Sequence, residues 1–233
     1  MPETVLTGTP EIALELRRSA RARRFSLRVS RRDGRVVLTL PARARTAAAL
    51  EFARAHEGWL RATLAALPPR QPIAAGASLP IEGVAHLLVA APVPAPRREG
   101  GRLLVPERTG ARAGATGRRV AGFLRTLAHE RLAAACDRHG AALGRAPSTL
   151  VLRDPRSRWG SCTSQGRVMF SWRLAMAPPA VLDYVAAHEM AHLREMNHSP
   201  AFWALVAGLV PDHARHRAWL RAHGGALLAH DFG

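Results

Sequence analysis

The sequence predicts an α+β protein in two parts: an N-terminal β-rich module with one helix over residues 1–110, and a compact helical and β core over residues 111–233 whose late helix carries the pattern H-E-x-x-H. Three observations lead there. Apolar and polar residues alternate across the first forty positions, as in half-buried strands. After residue 118 apolar residues recur at helical spacing. Between the two lies a polar, small, Gly-containing stretch, residues 107–116, which makes the best boundary. No internal repeat is visible.

Residues 11–40 read as β structure because Ile12, Leu14 and Leu16, then Phe25, Leu27 and Val29, then Val36, Leu38 and Leu40 alternate with polar neighbours. Asp33-Gly34 is a hairpin turn signal. Pro41 ends the segment, and Thr46 caps one helix that runs through Leu50, Phe52, Trp59, Leu60 and Leu64 to Pro68-Pro69, with Trp59 packed inside. Short strands return at residues 79–81, 85–91 and 102–105, with a turn at Glu82-Gly83 and a loop through Pro92 to Pro96 and Gly100-Gly101.

The second part opens with a helix over residues 118–139, which Gly140 terminates. Two strands follow, 149–153 and 167–172, joined by a loop through residues 154–162. Pro178-Pro179 starts the helix that carries His188 and His192. Residues 200–209 form another, a last one begins near Asp212 behind Pro211, and residues 226–233 carry no clear signal.

The chain of 233 residues is 48% hydrophobic, enough for a proper core. No apolar run is long enough to span a membrane, and the first residues lack a secretory signal. Cys136 and Cys162 fit neither a disulfide framework nor a C-x-x-C metal pair, so both read as small core residues in a reducing, cytoplasmic compartment. The formal charge of +17 points to polyanions, but all 34 basic residues are arginine, a skew that biased codon usage also produces. From Arg17 to Arg35 nine arginines face only Asp33, as a phosphate-binding face for nucleic acid or as a solvated strand face.

On a helix, residues four apart share a face, so His188 and His192 can offer two imidazole nitrogens to one metal ion, with Glu189 beside it. A catalytic zinc takes three protein ligands and keeps one position open. Past Glu195 the only acids are Asp212 and Asp231, and Glu195 itself is disfavoured as a carboxylate at a helix C-terminus. His198 is the expected third ligand. The helix should end near Met196, a left-handed Asn197 should reverse the chain, and Ser199-Pro200 should cap and start the next helix. The competing reading is a trio satisfied without metal. It sits poorly with the apolar run 180–187, since burying a Glu and two His on such a helix is costly unless something holds them.

Several further segments accompany the motif: Ser157-Arg158-Trp159-Gly160-Ser161-Cys162, Trp172-Arg173-Leu174, Asp183-Tyr184-Val185, Asn197-His198-Ser199, Phe202-Trp203 and Pro211-Asp212. Together they resemble the YgjP-like metallopeptidases, a family similar in its core to SprT-type and other compact zinc peptidases. The resemblance implies a zincin-like core in which His188, His192 and His198 hold Zn2+ and Glu189 is the catalytic carboxylate of a metalloendopeptidase acting on a peptide or protein. Arg158, Trp159 and Tyr184 are candidates for the substrate cleft, although Tyr184 and Trp159 also read as packed rings. A peptide could add to the 167–172 strand if that strand is a sheet edge. Some family members are assigned nucleotide pyrophosphate hydrolysis, so a metal-dependent nucleotide pyrophosphohydrolase is one alternative. A nucleic-acid-binding protein with structural zinc is another, with His213 or His216 as fourth ligand.

Overall fold

The computed structural model describes residues 3–6, 8–30, 33–107, 114–155 and 157–233. The chain is mixed α and β, and it divides into two compact units, Met1–Pro69 and Arg70–Gly233. The division falls after the Pro68-Pro69 stop, whereas the break expected at 110/111 lies outside the described residues. Among the described residues no helix is long and apolar enough to cross a membrane.

The first unit is a four-stranded sheet with two helices. Strands β1 (Glu3–Leu6), β2 (Ile12–Ser19), β3 (Ser26–Val29) and β4 (Val36–Pro41) lie in the order β1-β2-β4-β3, with β2 and β4 parallel and both outer pairs antiparallel. Alternation works as expected: Ile12, Leu14, Val36, Leu38 and Leu40 are buried, while Arg17, Arg18, Arg28 and Arg35 stay exposed. Arg31 and Arg32 of the basic stretch lie outside the described residues. Arg18 has a structural job, donating to the Ala42 and Ala44 carbonyls and to Thr46 Oγ1.

The single helix expected after Pro41 is two, α1 (Thr46–Ala55) and α2 (Glu57–Ala65). His56 makes the break. Its Nδ1–H donates to the Phe52 carbonyl at 2.8 Å, the acceptor a continuing helix reserves for the backbone, and its own N–H turns to Ala53 instead. Thr46 is not the cap, which is Arg45 without a side-chain bond. Trp59 is 49% exposed, so the expectation that it packs inside is also corrected; the buried side of α2 is Leu60.

The second unit begins with β5 (Gln71–Pro72), β6 (Ser78–Ile81), β7 (Val84–Ala91), β8 (Arg97–Glu99) and β9 (Arg102–Pro106). The last four form a sheet in the order β6-β7-β9-β8, again antiparallel, parallel, antiparallel. The first unit's strand plan thus recurs without any repeat in the sequence. Glu82 (φ 51°) and Gly83 (φ 81°) make the β6–β7 turn. Their N–H groups donate to Ala175 and Met176, and the Glu82 carboxylate accepts from Arg98 and Arg131. Those partners outweigh burial and hold the Glu82 carboxyl below its usual range.

Helix α3 (Ala115–Leu143) is longer than expected because Gly140 lies inside it, and Gly144 (φ 61°) ends it in the left-handed conformation. Gly140 serves close approach instead: a Cβ there would stand 2.7 Å from the Arg145 carbonyl oxygen. The third sheet orders β10 (Thr149–Arg153), β12 (Arg167–Ser171) and β11 (Gly160–Cys162) as β10-β12-β11. The segment around 167–172 is therefore the central strand and not an edge; the edges are β10 and β11, the latter a strand inside the expected loop.

A 3-10 turn, Trp172–Met176, leads into α4 (Pro179–Ala191), then α5 (Pro200–Leu209), α6 (His213–Ala229) and β13 (His230–Asp231), which pairs with β5. Arg173, fully buried, pins this end together. Its guanidinium donates to Asp154 Oδ1 at 2.7 Å and to the carbonyls of Leu227 and His230 at 3.0 and 2.9 Å, and it lies over the rings of Trp172 and Phe232. One core of apolar residues from β6, β7, β9, α3, β12, α4 and α5 fills the unit.

Candidate metal centre

Helix α4 opens as its prolines require, with Pro178 at the cap position and Pro179 first inside. It ends at Ala191, a turn earlier than expected. His192 is the capping residue, and the N–H groups of Leu193, Arg194 and Glu195 fold back onto Met190 and Ala191. The reversal does not use a left-handed Asn197, since among the described residues Glu82 is the only non-glycine with positive φ. Arg194 anchors the turn through Nε to the Leu143 carbonyl at 2.9 Å. Ser199 then caps α5, its hydroxyl accepting from Phe202 N–H at 3.2 Å, with Pro200 first in the helix.

This path brings His188, His192 and His198 together. One ring nitrogen from each lies within 4.8 Å of the others, and the ring centroids are 5.2, 5.0 and 4.9 Å apart. The Nε2 atoms of His188 and His198 are 3.1 Å apart. Two nitrogens sharing a tetrahedral zinc at about 2.05 Å would stand about 3.3 Å apart, so the group fits a divalent ion. The protonation states fit too: burial and then the neighbouring imidazoles push His188 down to about 4, and burial lowers His192, which leaves lone pairs for a metal. His192 Nδ1–H donates to the Glu195 carbonyl at 3.0 Å, which fixes its tautomer and turns Nε2 towards the centre. Among the described residues the group has three members; neither Glu195 nor His213 nor His216 joins it, and His216 instead faces Asp212 at 3.1 Å.

Phe202 from α5 stands under all three rings, stacked on His192 at 4.5 Å and edge-on to His188 and His198 at 4.9 and 4.7 Å. Trp203 flanks His188 and His198, and His213 stacks on Trp203 at 5.8 Å. Phe202-Trp203 entered the sequence reading as part of the family resemblance and not as props, although the Ser199-Pro200 cap already placed both in the first turn of α5, next in the chain to His198.

Glu189 is buried, and burial pushes its carboxyl up to about 8 against the pull of Arg158. A Cβ on Gly160 of edge strand β11 would stand 2.5 Å from Glu189 Oε1, so this carboxylate lies directly against that strand. Cys162 of the same strand is raised to about 11 by burial and then by Glu189. Arg158 is exposed on the loop before β11. Trp159 packs against Gly224 of α6, where a Cβ would meet its ring at 2.8 Å. Tyr184 is a buried ring, edge-on to His188 at 6.1 Å. Arg173 belongs to the buried pin and not to this centre.

Residues 23–223 match the family model described as YgjP-like, metallopeptidase domain. No curated protein sequence matches the chain. Among solved structures it is similar to the crystal structure of the metallopeptidase zymogen of Pyrococcus abyssi abylysin, at 18% identity over 39% of this chain and 93% of that chain. The TM-score is 0.35, a likeness too partial to carry an argument about this chain.

Proposed function

Because the chain belongs to the YgjP-like metallopeptidase family, we propose that it hydrolyses peptide bonds with Zn2+ held by His188, His192 and His198 and with Glu189 as general base. The observation that carries this reading is the convergence of three imidazole nitrogens next to a buried carboxyl group. Zinc bound by three neutral imidazoles supplies a Lewis acid for a peptide carbonyl and makes water nucleophilic near neutral pH.

The chain's own residues do the rest. Glu189, adjacent to His188 and pressed against Gly160, takes a proton from the attacking water at a carboxylate oxygen and passes it to the leaving amide nitrogen. Burial raises the affinity of this carboxyl for a proton, which suits holding that proton between the two halves of the transfer. Edge strand β11 offers backbone groups beside this carboxylate, so an extended peptide adds there and not to the central β12. Phe202 holds the three imidazoles at a fixed mutual angle.

The test is Glu189→Gln. This variant should bind one zinc per chain like the parent, measured by metal analysis, and lose at least about a thousandfold in turnover of a denatured protein. Unchanged turnover would exclude Glu189 as the base.

A further inference from the structure

Helix α6 contains no acidic residue, and His213, Arg217 and Arg221 repeat along it every four positions, on one face. That face meets the candidate centre. The Arg217 guanidinium lies 4.9 Å over the Trp203 ring, and Trp203 stands 5.8 and 5.9 Å from His188 and His198. Like charges one turn apart repel, and among the described residues neither Arg217 nor Arg221 has an ion-pair or hydrogen-bond partner. Nearby acids are engaged elsewhere: Asp212 faces His216, and Glu189 lies buried against β11. A guanidinium over an aromatic face without an ion-pair partner has N–H donors left for a carboxylate, which it can receive in two parallel hydrogen bonds.

We propose that Arg217 and Arg221 receive a carboxylate of the substrate beside the scissile bond, so that the protein selects acidic peptides. The proposal rests on the peptidase reading above. A negative group arriving there meets two exposed guanidinium groups beside the half-buried Trp203 ring and the buried Phe202 ring.

The experiment uses the full chain loaded with Zn2+ and pairs of quenched peptides that differ only by Glu or Gln next to the cleaved bond. A second pair ends in a free carboxylate or an amide, to show whether a side chain or the chain end is recognised. Wild type should prefer the acidic member of at least one pair by about tenfold in kcat/KM, the scale of a partly exposed charge-assisted pair. In Arg217→Gln/Arg221→Gln that ratio should fall to near one, and the double Lys variant should keep part of it. Both residues are exposed, so melting temperatures should match. Cleavage with no acidic preference, or a preference untouched in the double Gln variant, overturns this inference alone. If wild type cleaves no peptide, acidic or neutral, the peptidase reading itself falls and this inference with it.

Discussion

Replacing Gly160 with alanine should disable the proposed general base without unfolding the protein or emptying the centre. The new Cβ would stand 2.5 Å from Glu189 Oε1, 2.6 Å from Cγ and 2.8 Å from Cδ. Ordinary contact needs about 3.5 Å, so the carboxylate must retreat by about 1 Å. Glu189 is only 5% exposed and has little room to do so except by rotating its carboxyl group away from the strand. A misplacement of that size costs about a hundredfold in rate, roughly 2.7 kcal/mol of barrier. The three nearest atoms to the added methyl all belong to Glu189 and none to a histidine, so bound zinc should be unchanged. Turnover of a quenched peptide, metal content and the melting curve should be measured together. A Gly160→Ala enzyme with turnover within threefold of wild type would refute the claim that this strand sets the carboxylate's position.

Two further outcomes concern stability. Arg173→Met removes the donor to Asp154 and to the carbonyls of Leu227 and His230 from a fully buried position, and should cost about 3–5 kcal/mol in denaturant melts; a loss below about 1 kcal/mol would show that the pin is dispensable. His230 is held at about 4 by burial and then by Arg173, so it is neutral in the fold and takes up its proton only on unfolding once pH drops below its ordinary value of about 6.5. Stability should therefore fall on acidification from pH 7 and level off near pH 4, with about 2 kcal/mol lost by pH 5 that His230→Asn does not lose; equal slopes for the two proteins would contradict this.

Much of the fold is legible locally. Strands β2, β3 and β4, the Glu82-Gly83 turn, the starts of α4 and α5 and the bounds of β10 follow from period-two alternation, turn residues and prolines, because each signal resides within a few adjacent residues. Strands β1, β8, β11 and β13 do not show in this way, being two to four residues long and formed only because a partner strand is there. His56 breaks a helix through one ring–carbonyl bond that no propensity encodes. Gly140 looks like a helix stop and is a contact site, since only the returning Arg145 carbonyl explains it.

The same division runs through the candidate site. The four-residue spacing of His188 and His192, with Glu189 between, is a property of helical geometry and is determined by the chain alone. Ser199-Pro200 likewise starts α5 unaided. How the chain returns His198 to the two imidazoles, which strand borders the carboxylate, and that Arg173 sits in a buried pin were decided only by tertiary structure. Those outcomes depend on groups far apart in sequence, such as β11 against α4 or Gly224 against Trp159, whose meeting is settled by how whole elements bury their apolar faces together.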